Sequence, residues 1–181
     1  MAKLTFMMGM EFIIKVLANE RNFQRIKLEE RFDFNSCEGF GEMQKYLKNA
    51  DLKTNYLRLS DSDFSYCRAC CLFLPHVEAR NLKLIESDLR GAIFEEANFY
   101  GAQMFGAQLE LADLRKADLR AVFFKEANLE RAKLCNADLR EAIFWKANLY
   151  RANLAGAKLI GADIRGAIFN KPIGKELEFR P

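Results

Sequence analysis

Histidine, tryptophan and proline are scarce in this chain of 181 residues: one, one and three. A single histidine, His76, removes His-paired catalytic arrangements and most His-rich metal sites. An excess of charge of one sign is missing too, since 28 Lys plus Arg face 25 Asp plus Glu and leave a net charge of +3. The opposite charges are interspersed, so no polybasic arm or acidic tail draws nucleic acid from a distance. No apolar run is long enough to cross a bilayer. The best candidate, Phe6 to Ala18, carries Glu11 and Lys15 in its middle and reads as neither a signal peptide nor a membrane span. Cys37, Cys67, Cys70, Cys71 and Cys135 show no regular disulfide spacing, which points to a reducing, cytoplasmic setting. The length suits about one domain.

What the chain does have is a repeat of period five. From Ser87 it reads SDLRG, AIFEE, ANFYG, AQMFG and onward to AIFNK, seventeen units ending at Lys171 with no residue inserted or lost. The central residue of each unit, position i, is always large and apolar, from Leu89, Phe94, Phe99 and Met104 to Ile164 and Phe169. Position i-2 is small: Ser87 in the first unit, Val122 in one other, and alanine elsewhere. Helices need apolar groups near every 3.6 residues and strands every 2.0, whereas here the steps are two and then three. A two-residue step keeps i-2 and i on one side of a short extended segment, and the remaining residues must turn a corner. Glycine at i+2, as in Gly91, Gly101, Gly106, Gly156, Gly161 and Gly166, suits a corner of positive φ. Stacked coils follow.

Tandem A(D/N)LXX units of this kind resemble the pentapeptide repeat family. The resemblance implies an all-β solenoid, a right-handed quadrilateral β-helix with four units per coil, i and i-2 inward and i-1, i+1 and i+2 outward. Asp113, Asp118, Asn128, Asp138, Asn148, Asn153 and Asp163 supply the family's polar i-1, while Ile93, Phe123, Ile143 and Ile168 put apolar groups there. In weaker form the register runs back through Cys67/Ala69, Ser62/Phe64 and Leu57/Leu59, making 23 units from Leu57 to Lys171. At the ~4.8 Å strand spacing, nearly six coils make a rod of roughly 28 Å.

Three segments are therefore expected: residues 1–56 as an N-terminal cap and irregular first coil, 57–171 as the β-helix, and 172–181 as a C-terminal tail. Met10, Ile13, Ile14 and Leu17 would form the apolar stripe of a short capping helix, because solenoid ends expose core and strand edges. Glu42 to Lys48 reads as a second helix over a corner of the first coil, whose inward pairs are Ile26/Leu28 and Phe32/Phe34. An interruption of register falls near Asn55 and Tyr56. The tail has Leu177 and Phe179 to cover the last coil, unless two chains pack end to end.

No phosphate loop, nucleophile elbow or carboxylate constellation stands out, so neither enzyme chemistry nor a cofactor or metal is expected. Cys67 and Cys70 form a Cys-x-x-Cys without a second pair; Cys67 falls at an inward i-2 slot and His76 at a corner. Taking every fourth unit as one wall, the wall of Leu84, Met104, Phe124, Phe144 and Ile164 displays Ile85, Phe105, Lys125, Trp145 and Arg165 at i+1 and Phe123 and Ile143 at i-1. Ile85, Phe105, Phe123, Ile143, Trp145 and Arg165 are the candidate interaction surface, for a protein partner or a second copy, unless residues 35–50 cover it. A scaffold or binding module is the reading preferred. The resemblance also brings an alternative, mimicry of B-DNA that protects gyrase from quinolones. That use needs an acidic surface, and residues 82–171 hold 14 Lys plus Arg against 12 Asp plus Glu. Nucleic acid and membrane are not expected as partners.

Overall fold

An inward pair every five residues obliges the chain to turn at each unit, and in the computed structural model, which describes residues 4–169, the turns return it to register every fourth unit. Each i-1 residue pairs in parallel with the one twenty residues on, unbroken from Arg58 with Glu78 to Ile143 with Asp163. The result is a parallel β-solenoid with four walls. Their inward i residues are Leu89, Leu109, Leu129 and Leu149 on the first, Phe94, Leu114, Leu134 and Leu154 on the second, Phe99, Leu119, Leu139 and Leu159 on the third, and Met104, Phe124 and Phe144 on the fourth. All are buried, as are the small i-2 residues from Ser87 to Ala157.

Four of the five backbone N–H groups of a regular unit find a carbonyl, and the fifth explains the polar letters of the repeat. The unit at Leu89 is an example. Leu89 N donates to the carbonyl of Gln108 at 2.8 Å and Gly91 N to that of Glu110 at 2.8 Å, both in the next coil. Ile93 N donates back to Leu72 at 2.8 Å, and Ala92 N closes the corner on Leu89 at 3.0 Å. The remaining amide, at i+1, has no carbonyl to reach. Where i-1 is Asp or Asn its side chain takes it: Arg115 N reaches Asp113 at 3.3 Å, Tyr150 N Asn148 at 3.0 Å and Arg165 N Asp163 at 3.2 Å. Each corner puts its i+2 residue in the left-handed region, with φ from 65° to 74° at the six repeat glycines and from 51° to 63° at residues such as Leu111, Ala121 and Glu86. A residue with a Cβ is less at ease there than glycine, so the repeat accepts strain at many corners to keep its register.

The first coil departs from the pattern by losing one wall. Asn22 pairs with Arg58, Lys27 with Asp63 and Asp33 with Arg68, supplying the third, fourth and first walls. Ile26, Leu28, Phe32 and Phe34 point inward as expected. At the place of the second wall the chain instead forms helix α2, Phe40–Asn49, so the interruption read near Asn55 and Tyr56 extends over a whole excursion. Gln44 of α2 repairs the ladder. Its Oε1 accepts from Phe73 N at 2.6 Å, where one coil later Ile93 N finds a backbone carbonyl.

Above this coil, strand β1, Thr5–Met7, pairs in parallel with β2, Ile26–Leu28, and leads into helix α1, Gly9–Leu17. The helix is where it was expected, but with a different face inward. Phe12, Ile13 and Val16 are buried, whereas Met10 is 40% and Ile14 61% exposed. The hollow of the coil needs one large group at its centre, and the Phe12 ring fills it, 4.7 Å from Phe23, 5.5 Å from Phe64 and 5.9 Å from Phe34. Gly9 is required because the ring of Phe32 lies against it; an added Cβ would stand 2.2 Å from that ring. Arg21 ties the two helices, donating to the carbonyl of Val16 at 3.2 Å and to the Tyr46 hydroxyl at 2.9 Å. At the far end β3, Asn148–Leu149, pairs with β4, Ile168–Phe169. The expected tail, 172–181, lies outside the described residues.

The register is testable by contrast. Leu129→Ala should cost about 2–5 kcal/mol and its outward neighbour Glu130→Ala no more than about 0.5 kcal/mol in urea denaturation. Equal losses would mean that the inward and outward assignments are wrong.

Candidate interaction surface

The outward positions of three walls are dominated by polar and paired side chains. On the second wall Arg115 donates to Asp113 at 2.7 Å and to Glu95 at 3.1 Å, Lys116 meets Glu96 at 2.8 Å and Lys133 lies 3.7 Å from Asp113. On the third, Arg120 and Arg140 each fold back onto their own unit's Asp118 and Asp138, at 2.7 and 2.6 Å. On the first, Arg90 does the same with Asp88 at 2.8 Å, and Asn148 donates to Asn128 at 3.1 Å. These pairs follow from the turn chemistry: an aspartate that accepts the i+1 amide is already placed to receive an i+1 guanidinium.

The fourth wall is different. Its i-1 column runs Asp63, Lys83, Gln103, Phe123, Ile143 and Asp163 in continuous pairing, so the apolar letters scattered through the sequence become neighbours at strand spacing. Phe123 is 45% exposed; Ile85, Phe105, Ile143 and Trp145 are half-buried. Ile85, Gln103, Phe105, Phe123 and Lys125 line a shallow slot. Arg165, the sixth candidate, stands at the far end of the wall with its guanidinium turned onto Asp163 at 2.6 Å, so it is engaged within its own unit.

Two residues outside that candidate set complete the surface. The Lys125 ammonium lies 5.3 Å from the centre of the Phe105 ring and 4.4 Å from that of Trp145, and Lys146 lies 4.5 Å from Trp145. Cation–π attraction places both. Lys125 belongs to the same i+1 column and was legible as a neighbour; Lys146, at the corner i+2, comes close because its side chain bends back over the ring. The 35–50 segment does not cover the stripe: its contacts run to the first and second walls, to α1 and to the turn that follows it. Asn35 exchanges hydrogen bonds with the backbone of Cys70 at 2.8 and 3.0 Å, Lys48 sits over Phe73, and Tyr46 bonds Asn19 and Arg21.

The cysteines and the histidine do not converge. Cys67 is buried, and desolvation pushes its thiol up to about 12, far from a thiolate. Cys70 faces outward on the same wall, and burial together with Asp88 raises its thiol as well. His76 holds a corner with Nδ1 3.4 Å from Glu96. Among the described residues no group of three or more His, Cys, Asp or Glu could hold a metal, and no helix is long and apolar enough to cross a membrane.

Four walls of five-residue units, with a repeating Asp/Asn turn, define a pentapeptide-type β-solenoid. The family model for pentapeptide repeats matches in eight copies over residues 76–110, 112–144 and 136–170, and the chain belongs to that family. No curated protein matches. Solved structures do. A pentapeptide repeat protein from the Arabidopsis thaliana thylakoid lumen is 33% identical, over 59% of this chain and 64% of that one, with a TM-score of 0.36. Rfr23 from the cyanobacterium Cyanothece 51142 is 20% identical over 88% and 97%, TM-score 0.43. QnrB1, a plasmid-mediated fluoroquinolone resistance protein, is 16% identical over 81% and 63%, TM-score 0.39. This chain thus spans just under two thirds of the first and the last of these.

The Asp–Arg pairs give the fold an acid-sensitive component. Asp88 is held down to about 2, chiefly by the hydrogen bond from Arg90, and Asp138 is lowered mainly by Arg140. Burial opposes the shift at Asp113, where Arg115 still keeps the carboxyl low. A carboxyl that ionises more readily folded than unfolded contributes its stability above the ordinary aspartate range and loses it as pH falls toward the folded value. The urea midpoint should therefore fall between pH ~5 and ~2, and Asp88→Asn should lose less over that interval; identical slopes would remove Asp88 from this role.

Proposed function

We propose that the protein is a non-enzymatic binding or scaffold module, a right-handed quadrilateral β-helix whose fourth wall is held against a protein partner, the alternative being a second copy docked through that wall or an end coil. In this reading residues 1–56 cap the rod, 57–171 form it and 172–181 are its tail, and the five free cysteines suit a cytoplasmic setting. One contrast carries the proposal. Asp88, Asp113, Asp118 and Asp138 on the other walls are each paired with an arginine of their own unit, while the fourth wall exposes a contiguous stripe of Phe105, Phe123, Ile143 and Trp145. Proteins seldom leave such a stripe to solvent without a use for it, and aromatic anchors dominate the affinity of many interfaces.

The double variant Phe105→Ala, Trp145→Ala tests this. Both side chains stand outside the core, so the thermal midpoint should hold, while a partner retained on the immobilised wild-type protein is lost, each truncation weakening binding by ~2 kcal/mol or more. Equal retention by the variant, or its unfolding, would sink the reading.

Mimicry of B-DNA is the competing use, and the surface does not favour it. A gyrase decoy needs continuous negative potential. Here Asp88, Asp118, Asp138 and Asp163 each carry an arginine of their own unit. Gyrase supercoiling with stoichiometric protein should stay as quinolone-sensitive as without it; clear protection would restore mimicry.

A further inference from the structure

Lys125 and Lys146 are cations set among apolar rings without an acidic partner. Among the described residues no carboxylate comes within 4.0 Å of either ammonium, although charged corners elsewhere pair readily. The comparison within the fold is direct. At one corner Lys116, stacked twenty residues after Glu96, closes on it at 2.8 Å. At the fourth wall's corner Lys146 is stacked in the same way after Glu126 and lies over Trp145 instead, 4.5 Å from the ring centre. Lys125 and Gln103 line, with Ile85, Phe105 and Phe123, the slot that opens on the same wall.

Resting on the reading of this wall as a contact surface, we infer that its occupant is an extended acidic segment of a protein, bringing an apolar side chain to the slot and carboxylates to Lys125 and Lys146. Charge complementarity selects the acid, because a carboxylate meeting these ammonium groups replaces water without having to break an existing ion pair. Spacing selects an extended chain. The slot and Lys146 lie about two coils apart along the wall, ~10 Å, which three residues of extended chain cover at ~3.3 Å each. A folded dimer mate fits less well: antiparallel wall-to-wall contact would set Lys125 against its own copy. A single-stranded nucleic acid fits less well too. Lysine ammonium groups already lie over the Phe105 and Trp145 rings on which bases would stack.

Trp145 is the one tryptophan of the chain, so its emission reports this site alone. The probes are a short synthetic peptide alternating Glu with Leu and Phe, the same peptide with Gln for Glu, and an oligothymidylate. The acidic peptide should change Trp145 emission saturably and lose affinity as salt rises. Replacing its Glu by Gln, or using a Lys125→Gln, Lys146→Gln variant of unchanged thermal midpoint, should weaken it about fivefold or more. Equal binding of both peptides would overturn the acidic preference while leaving the contact surface intact. Binding of oligothymidylate in preference to peptide would overturn the choice of a protein segment. Silence with all three probes would also overturn this inference, and the contact surface would then rest on the Phe105, Trp145 double variant.

Discussion

Closure of the backbone hydrogen bonds within five residues is the constraint from which the rest of the molecule follows. A coil that stacks on its neighbours can satisfy three N–H groups per unit between coils and one across the corner, as at Leu89, Gly91, Ile93 and Ala92. The fifth needs a side chain, and a short acceptor at i-1 is what the geometry provides. Aspartate there has a second effect, because it also receives an arginine at i+1 and so neutralises the wall it stands on. Where i-1 is Phe123 or Ile143 both effects vanish together: the turn loses its side-chain acceptor and the wall its charge pair. An apolar i-1 residue therefore changes the surface twice over, and on the fourth wall Phe123 and Ile143 do so beside the rings of Phe105 and Trp145.

The interior imposes its own rule. Each coil has room for four large groups and four small ones, and the Leu/Phe/Met and Ala alternation fills it with side chains that are almost wholly buried. Phe124 and Phe144 stack at 5.2 Å in successive coils, an arrangement open to flat rings held one strand spacing apart. Such a column has no natural end. At the N-terminus the chain ends it by two devices of different kind: Phe12 of α1 inserted into the open hollow, and Gln44 of α2 lending a side-chain carbonyl to a strand edge that would otherwise be unpaired.

How much of this was legible beforehand follows from what each feature depends on. The register, the inward residues and the grouping of Phe105, Phe123, Ile143 and Trp145 on one wall depend only on a period, and a period is visible in letters. The buried face of α1 does not: helical spacing permits Met10 and Ile14 as readily as Phe12 and Val16, and the choice was made by the shape of the hollow beneath. The replacement of one wall by α2 was likewise invisible, since the helix joins the ladder through a side chain, Gln44, that accepts from Phe73 across 29 residues. Arg165 shared the wall's register but not its character, because Asp163 two residues earlier captures it. Lys146 was hidden for the opposite reason, its corner position placing it by register on no wall at all.

The central claim is that the fourth wall lies open, with cations beside its aromatic stripe. Collisional quenching of Trp145 by iodide and by caesium in the isolated protein tests both parts at once. Lys125 and Lys146 should concentrate the anion and repel the cation near the indole, so at matched low ionic strength iodide should quench Trp145 well above caesium, and added salt should narrow the difference. An indole that neither ion reaches would mean the stripe is covered, and caesium quenching equal to or above iodide would mean the lysines do not stand beside it.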